Sequence, residues 1–309
     1  MTQFLALASA GLYALLGAGA PESSPPPAAT APPSSASPSE AKTAGPLKSP
    51  GNAKWAATPD EARTRAGAED KYVFLEFDRP ECGPCQRMDA LLYPAFDFEA
   101  LLLQMVPAKV SLESPEGREL SRRYAIKDTP AILVTTSEGR LIFFVQGFTN
   151  TREFYAHIHQ DLGAYRTFAR RLETQSIAKI PAKEALDTGR ELYQRSDPEA
   201  ALPRLRRAVS APGGSAVIRD EAREILAAVE LDLGQKVGAR QTIDRLIATT
   251  KDPRRLERAE LFRAQLPLAD NHPAEALALF QKFERDHPQS PYIERVRAML
   301  LRLTGAGTP

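Results

Sequence analysis

The sequence predicts an α/β layer fold around a small central sheet, followed by an all-α domain of helical hairpins. Three observations carry the prediction. Between positions 58 and 163, helical and extended signals come in the order helix, strand, helix, strand, helix, hairpin, helix, the pattern of a layered α/β unit. One of the strands, 72–77, is a dense apolar run bounded by charge, which suits a central strand covered on both faces. From about position 183 the pattern is helical only, with small residues returning at near-constant spacing.

Each element has a local cause. Thr58-Pro59-Asp60-Glu61 opens the first helix: Thr58 caps it, Pro59 pre-sets the first-turn backbone, and Glu61 stands three residues after the cap. After strand 72–77 a helix begins at Cys82 and Cys85. It runs through Met88, Leu91 and Leu92 to Tyr93, where Pro94 ends it. Asp97 is expected to cap a short helix at 98–104, followed by strand 106–112 and helix 116–124. Strands 131–136 and 141–145 are joined by the turn Ser137-Glu138-Gly139-Arg140. Asn150 caps a last helix that carries Phe154, Ile158 and Leu162 on one face.

In the helical region Ala201, Ala239 and Ala276 recur at spacings of 38 and 37. Four residues after each comes a large apolar side chain (Leu205, Ile243, Phe280), and three further on come Ala208, Leu246 and Phe283. Small residues let paired helices approach, and large ones fill the space between stacked pairs. The run from Phe283 to Pro291, followed by 292–303, resembles tetratricopeptide arrays, although the Trp and Gly-x-x-Tyr landmarks are missing. Residues 183–304 are therefore expected to form a degenerate tetratricopeptide-like domain, with an irregular helical bundle as the alternative.

The first 53 residues read differently. From Phe4 to Ala20 the chain is apolar or small and uncharged, and Ala18-Gly19-Ala20 has the form of a signal-peptidase site. The first three residues carry no Lys or Arg, and Pro21 follows the expected cut. Residues 1–20 are thus expected to be a signal peptide, or a weak N-terminal membrane anchor. Residues 21–53 are mostly Pro, Ala and Ser, a composition that cannot bury enough apolar area to offset chain entropy and suits a disordered tether. This points to a secreted or periplasmic protein of the cell envelope.

Composition excludes some functions. The net charge is +1, with Lys and Arg interleaved among Asp and Glu, so no basic face calls for nucleic acid. The chain has two cysteines, Cys82 and Cys85, and four histidines, His157, His159, His272 and His287. The histidines lie far from the cysteines and read as surface or cap residues. No metal and no separate cofactor are expected, only the Cys82–Cys85 pair as a redox-active disulfide.

Two cysteines two residues apart at a helix start suit dithiol exchange. The first sulfur is expected to face solvent, where the helix dipole and free N–H groups favour its thiolate; the second lies one turn in. Gly83 and Pro84 keep the turn compact. The same motif could be half a zinc site or two core thiols, but the strand–helix–strand setting favours redox chemistry. Glu76 sits inside the apolar strand, where an unpaired carboxylate is costly.

Taken together, residues 54–163 resemble the thioredoxin superfamily. The resemblance rests on Cys82-Gly83-Pro84-Cys85, on Tyr124–Leu133 around Thr129-Pro130, on Gly139 and Gly147, and on Glu76 and Lys109. The stretch from Cys85 to Val106 and the lead-in from Trp55 to Tyr72 look like thioredoxin-like domains of envelope electron-transfer proteins. The resemblance implies a thioredoxin fold, a mixed sheet flanked by helices, over about 54–172. It implies that Pro130 is cis and that Thr129 presents backbone to a substrate strand; an ordinary turn proline is the plain alternative. Glu76 would relay a proton to Cys85 or pair with Lys109. Glu81 replaces a tryptophan common before the first cysteine, and with Asp78 it should raise the Cys82 pKa and favour a reductant.

The function expected is a thiol–disulfide oxidoreductase acting on protein disulfides in the envelope. An upstream dithiol would supply electrons, and the helical repeats would recruit a protein partner. The alternative is a repeat scaffold whose thioredoxin-like domain only binds.

Overall fold

The structure, a computed structural model, describes residues 54–94, 96–148 and 150–305. The signal peptide or anchor expected at 1–20 and the tether expected at 21–53 lie outside the described residues. The first unit contains α1 (Pro59–Glu69), β1 (Tyr72–Asp78), α2 (Gly83–Leu92), α3 (Phe96–Leu102), β2 (Met105–Ser111), α4 (Pro115–Arg123), β3 (Ala131–Thr135), β4 (Leu141–Gln146) and α5 (Thr151–Thr174). The strands form one mixed sheet in the order β2-β1-β3-β4, with β1 parallel to β2 and the other two pairs antiparallel.

Both faces of β1 are covered, as its apolar run requires. Val73, Leu75 and Phe77 face one core with Ala62, Ala66 and Val110. Phe74 faces the other, with Met88, Leu92 and Ile158. Side chains alternate along a strand, so Glu76 shares the Phe74 face, towards α2. Thr58 and Asn150 cap α1 and α5 as expected: Thr58 Oγ1 accepts from Glu61 N–H at 3.1 Å, and Asn150 Oδ1 accepts from Glu153 N–H at 2.9 Å. Gly139 turns the β3–β4 hairpin at φ 89°, a region that favours glycine. Asp97 departs from expectation. The helix α3 starts at Phe96, so Asp97 lies within its first turn rather than capping it; a carboxylate there still complements the helix dipole.

Helix α5 continues past Leu162, and its apolar face extends through buried Tyr165 and Phe168. It leads to α6 (Ala182–Gln194), α7 (Pro198–Ser210), α8 (Ala216–Asp232), α9 (Lys236–Thr249), α10 (Pro253–Ala269), α11 (Pro273–Asp286) and α12 (Ile293–Thr304). Each helix packs on the next, and α6 also touches α8. The recurring residues fall on alternate helices: Ala201, Leu205 and Ala208 on α7, Ala239, Ile243 and Leu246 on α9, Ala276, Phe280 and Phe283 on α11. All nine are buried. Ionic contacts reinforce the stack across every second helix. Glu224 of α8 is buried between Arg255 and Arg258 of α10 at 3.2 and 2.6 Å, and Arg190 of α6 pairs with Glu221 of α8.

The helical region joins the sheet at the hairpin end. Arg140 donates to Asp197 Oδ2 from Nε at 2.8 Å and from Nη2 at 2.6 Å. Leu141 N–H donates to Arg195 O at 2.7 Å, and the Arg195 guanidinium lies over the Tyr165 ring. Strand β1 runs towards the cysteines, whereas β3 runs away from Pro130 and ends with Thr135 opposite Val73. The junction and the cysteines are thus at opposite ends of a seven-residue strand, separated by about 20 Å. Asp197 also caps α7, its Oδ1 accepting from Ala200 N–H at 2.9 Å. Asp197→Ala removes both roles and is expected to cost about 2–4 kcal/mol, read by urea denaturation. The reactivity of Cys82 and Cys85 at the far pole towards dithiothreitol should not change; a change at full folding would refute the separation.

Candidate functional site

Strand β1 ends at Asp78, and Arg79-Pro80-Glu81 turn the chain into α2. Glu81 takes a left-handed φ of 58°, uncommon for a residue with a Cβ and a form of strain found at functional sites. Cys82 is the N-cap of α2 and Cys85 lies in its first turn, with Pro84 between them. The two sulfurs are bonded at 2.05 Å, with Cα atoms 5.2 Å apart. Cys85 N–H donates to Cys82 Sγ at 3.1 Å. An N-cap sulfur that accepts a helix N–H is placed where a thiolate would be stabilised.

One expectation fails in the oxidised pair. Cys82 does not stand out in solvent: it is 5% exposed, against 6% for Cys85. The cause is tertiary. Thr129 is buried against it, with Oγ1 3.6 Å from Cys82 Sγ. The flanking Glu81, Gly83 and Pro84 remain exposed, so the residual opening at Cys82 lies on an exposed corner. The Thr129–Pro130 peptide bond is cis, and Pro130 O accepts from Gly147 N–H at 2.7 Å.

Glu76 is fully buried and stands opposite Lys109 in the β1–β2 register. Lys109 Nζ is 3.2 Å from Glu76 Oε1 and 2.9 Å from Asp89 Oδ2. The contact with Asp89 is a hydrogen bond; that with Glu76 is an ion-pair distance without hydrogen-bond geometry, and neither Glu76 oxygen has a hydrogen-bond partner. Burial pushes the Glu76 carboxyl up to about 8, outweighing the opposing charge of Lys109. Burial pulls the Lys109 pKa down, but Glu76 and Asp89 together outweigh it and the net shift is upward. Burial also raises Asp78. The ammonium of Lys109 sits 5.2 Å from the Tyr93 ring and 5.8 Å from the Trp55 ring, within cation–π range.

The fold therefore brings Cys82, Cys85 and Thr129 into contact and pairs Glu76 with Lys109. Reading the sequence missed Asp89, Trp55 and Tyr93. Asp89 had one signal: it follows Cys85 by four residues, one turn further along the same helix face. Of the histidines, His287 follows α11 and its Nε2 is 2.5 Å from Glu260 Oε2, while His272 is the N-cap of the same helix. Among the described residues no group of three or more His, Cys, Asp or Glu side chains is placed to hold a metal ion. Nor is any helix among them long and apolar enough to cross a membrane.

Comparison with known proteins bears on the first unit. The family described as a thioredoxin-like domain matches residues 59–161. No curated protein sequence matches the chain. Similar solved structures include a thioredoxin from Thermus thermophilus, 28% identical, covering 35% of this chain and 85% of that one, with a TM-score of 0.32. The oxidised C-terminal domain of Neisseria meningitidis DsbD is 22% identical, covering 32% and 89%, with a TM-score of 0.29. A DsbH oxidoreductase is 16% identical, covering 40% and 95%, with a TM-score of 0.32. With its four-stranded mixed sheet, flanking helices and matched sequence, residues 59–161 are a thioredoxin-like domain, and a helical region follows it.

Proposed function

We propose that this protein is a thiol–disulfide oxidoreductase of the cell envelope that reduces protein disulfides. The observation that carries the reading is the Cys82–Cys85 disulfide at the N-terminus of α2, with Cys82 Sγ held between Cys85 N–H and the Thr129 hydroxyl. In the reduced form, the Cys82 thiolate attacks a substrate disulfide and forms a mixed disulfide. Cys85 then attacks Cys82, closes the internal disulfide and releases the substrate as a dithiol. A partner dithiol restores the pair, so no further cofactor takes part. Glu76, held protonated near neutrality by burial, supplies and recovers the proton that Cys85 exchanges, and Lys109 positions it. Thr129 and Pro130 present backbone to the substrate chain, and Gly83 and Pro84 keep the approach low. Acidic Glu81, next to Cys82 in the chain, and Asp78, four residues before it, are read as opposing its thiolate and favouring the reducing direction. The apolar leader at 4–20 supports an envelope location, and the helical region is read as a site for a protein partner.

The test is insulin reduction by dithiothreitol. The full chain should accelerate precipitation of the insulin B chain, and the Cys82→Ser/Cys85→Ser variant should run at the uncatalysed rate. Equal rates for the two would leave the thioredoxin-like domain as a binding module.

A further inference from the structure

Cys82 is closed off although its chain neighbours are exposed, and the contacts around Thr129 show how. Arg79 lies three residues before Cys82, and Asp128 immediately precedes Thr129. Arg79 Nη1 is 3.1 Å from Asp128 Oδ1. This bridge ties the segment leading into the disulfide to the segment that holds Thr129 against its sulfur. The same Asp128 Oδ1 accepts from Thr129 N–H at 2.8 Å. Gln146 Oε1, from β4, accepts from Lys127 N–H at 2.9 Å and from Asp128 N–H at 3.3 Å. All three backbone donors before Pro130 are thus occupied by side chains of the same protein.

We propose that Arg79 and Asp128 form a latch that an incoming substrate chain opens. Asp128 holds the Thr129 N–H that a substrate carbonyl would take, and through Arg79 it restrains the opening to Cys82. One displacement then does two things: it frees the docking donor and uncovers the sulfur. Both side chains of the bridge are more than half exposed, at 53% and 57%. An ion pair so wetted is weak and screened by salt. The latch therefore acts as a positioning device that grades access, worth about two- to fivefold in rate, and not as a lock. The inference rests on the exchange function proposed above.

The experiment has two arms on the full chain. In the first, Cys82 alone is read on a Cys85→Ser background by its rate of labelling with a bulky maleimide at low and high salt. Labelling should rise about two- to fivefold with salt when both Arg79 and Asp128 are present. In Arg79→Gln and Asp128→Asn it should be fast at both salts. In the second arm, insulin reduction is followed with the cysteine pair intact. Asn at 128 keeps an oxygen for Thr129 N–H, whereas Asp128→Ala does not, so Asp128→Ala should exceed both other variants in insulin reduction while labelling no faster. Unfolding midpoints should stay the same, which separates a latch from a merely structural bridge. Salt-independent labelling, with variants equal to wild type and insulin reduction intact, overturns the latch and leaves the exchange function standing. Salt-dependent labelling without insulin reduction in any variant overturns the exchange function instead.

Discussion

Cys85→Ser is expected to abolish turnover and to leave the protein covalently joined to its substrates. The reason is the order of the two attacks. Cys82 is the N-cap sulfur that receives the Cys85 N–H and the Thr129 hydroxyl, so charge on sulfur is better stabilised there than one turn in. Once Cys82 has attacked, only the Cys85 thiolate stands within bonding reach of the mixed disulfide. Serine cannot displace a thiolate, and the adduct persists until an external thiol arrives. Non-reducing electrophoresis should show dithiothreitol-sensitive adducts with Cys85→Ser and none with Cys82→Ser. Adducts with Cys82→Ser alone would reverse the roles of the sulfurs, an outcome their nearly equal burial leaves open to test. Adducts with neither variant would remove the exchange function.

Stability should fall as pH rises from about 4.5 to about 8, and Glu76→Gln should abolish most of that fall. The folded protein holds the Glu76 proton up to about 8, against 4.5 for the free group. Between these values the unfolded chain has released the proton while the native state keeps it, so each step up in pH favours unfolding. The contribution is fully present below 4.5 and lost above 8. At 1.36 kcal/mol per unit it reaches about 5 kcal/mol at most. The value of about 8 already includes the opposing charge of Lys109 at 3.2 Å. Urea denaturation of the oxidised protein should therefore show the variant and wild type near-equal at pH 5, with the variant more stable by about 2–5 kcal/mol at pH 9. Parallel curves across that range would show that Glu76 is ionised throughout. The exchange rate offers a second readout: an inflection near 8 in wild type that glutamine removes is the mark of the proton relay.

Much of this protein was legible in local sequence. The apolar run of β1 announced a strand covered on both faces, because alternation is lost when both sides are buried. Thr58 and Asn150 announced helix starts, since a cap satisfies N–H groups of its own first turn. Ala201, Ala239 and Ala276 announced stacked helices, because a repeated packing solution leaves a repeated residue. The cysteine pair was legible for the same reason: its geometry is local to one turn of helix. What the tertiary structure alone decided was polar and came from several elements at once. The resemblance had already implied that Glu76 could pair with Lys109; the structure adds Asp89 of α2 and the rings of Tyr93 and Trp55 around the same ammonium. Arg140 meets Asp197 across 57 residues of chain, Thr129 closes over Cys82 across 47, and Arg79 bridges to Asp128. Periodicity and capping record what a segment needs from water and from its own backbone. Which charge meets which is settled only when helices have packed onto a sheet, and each partner taken singly carries no trace of the other.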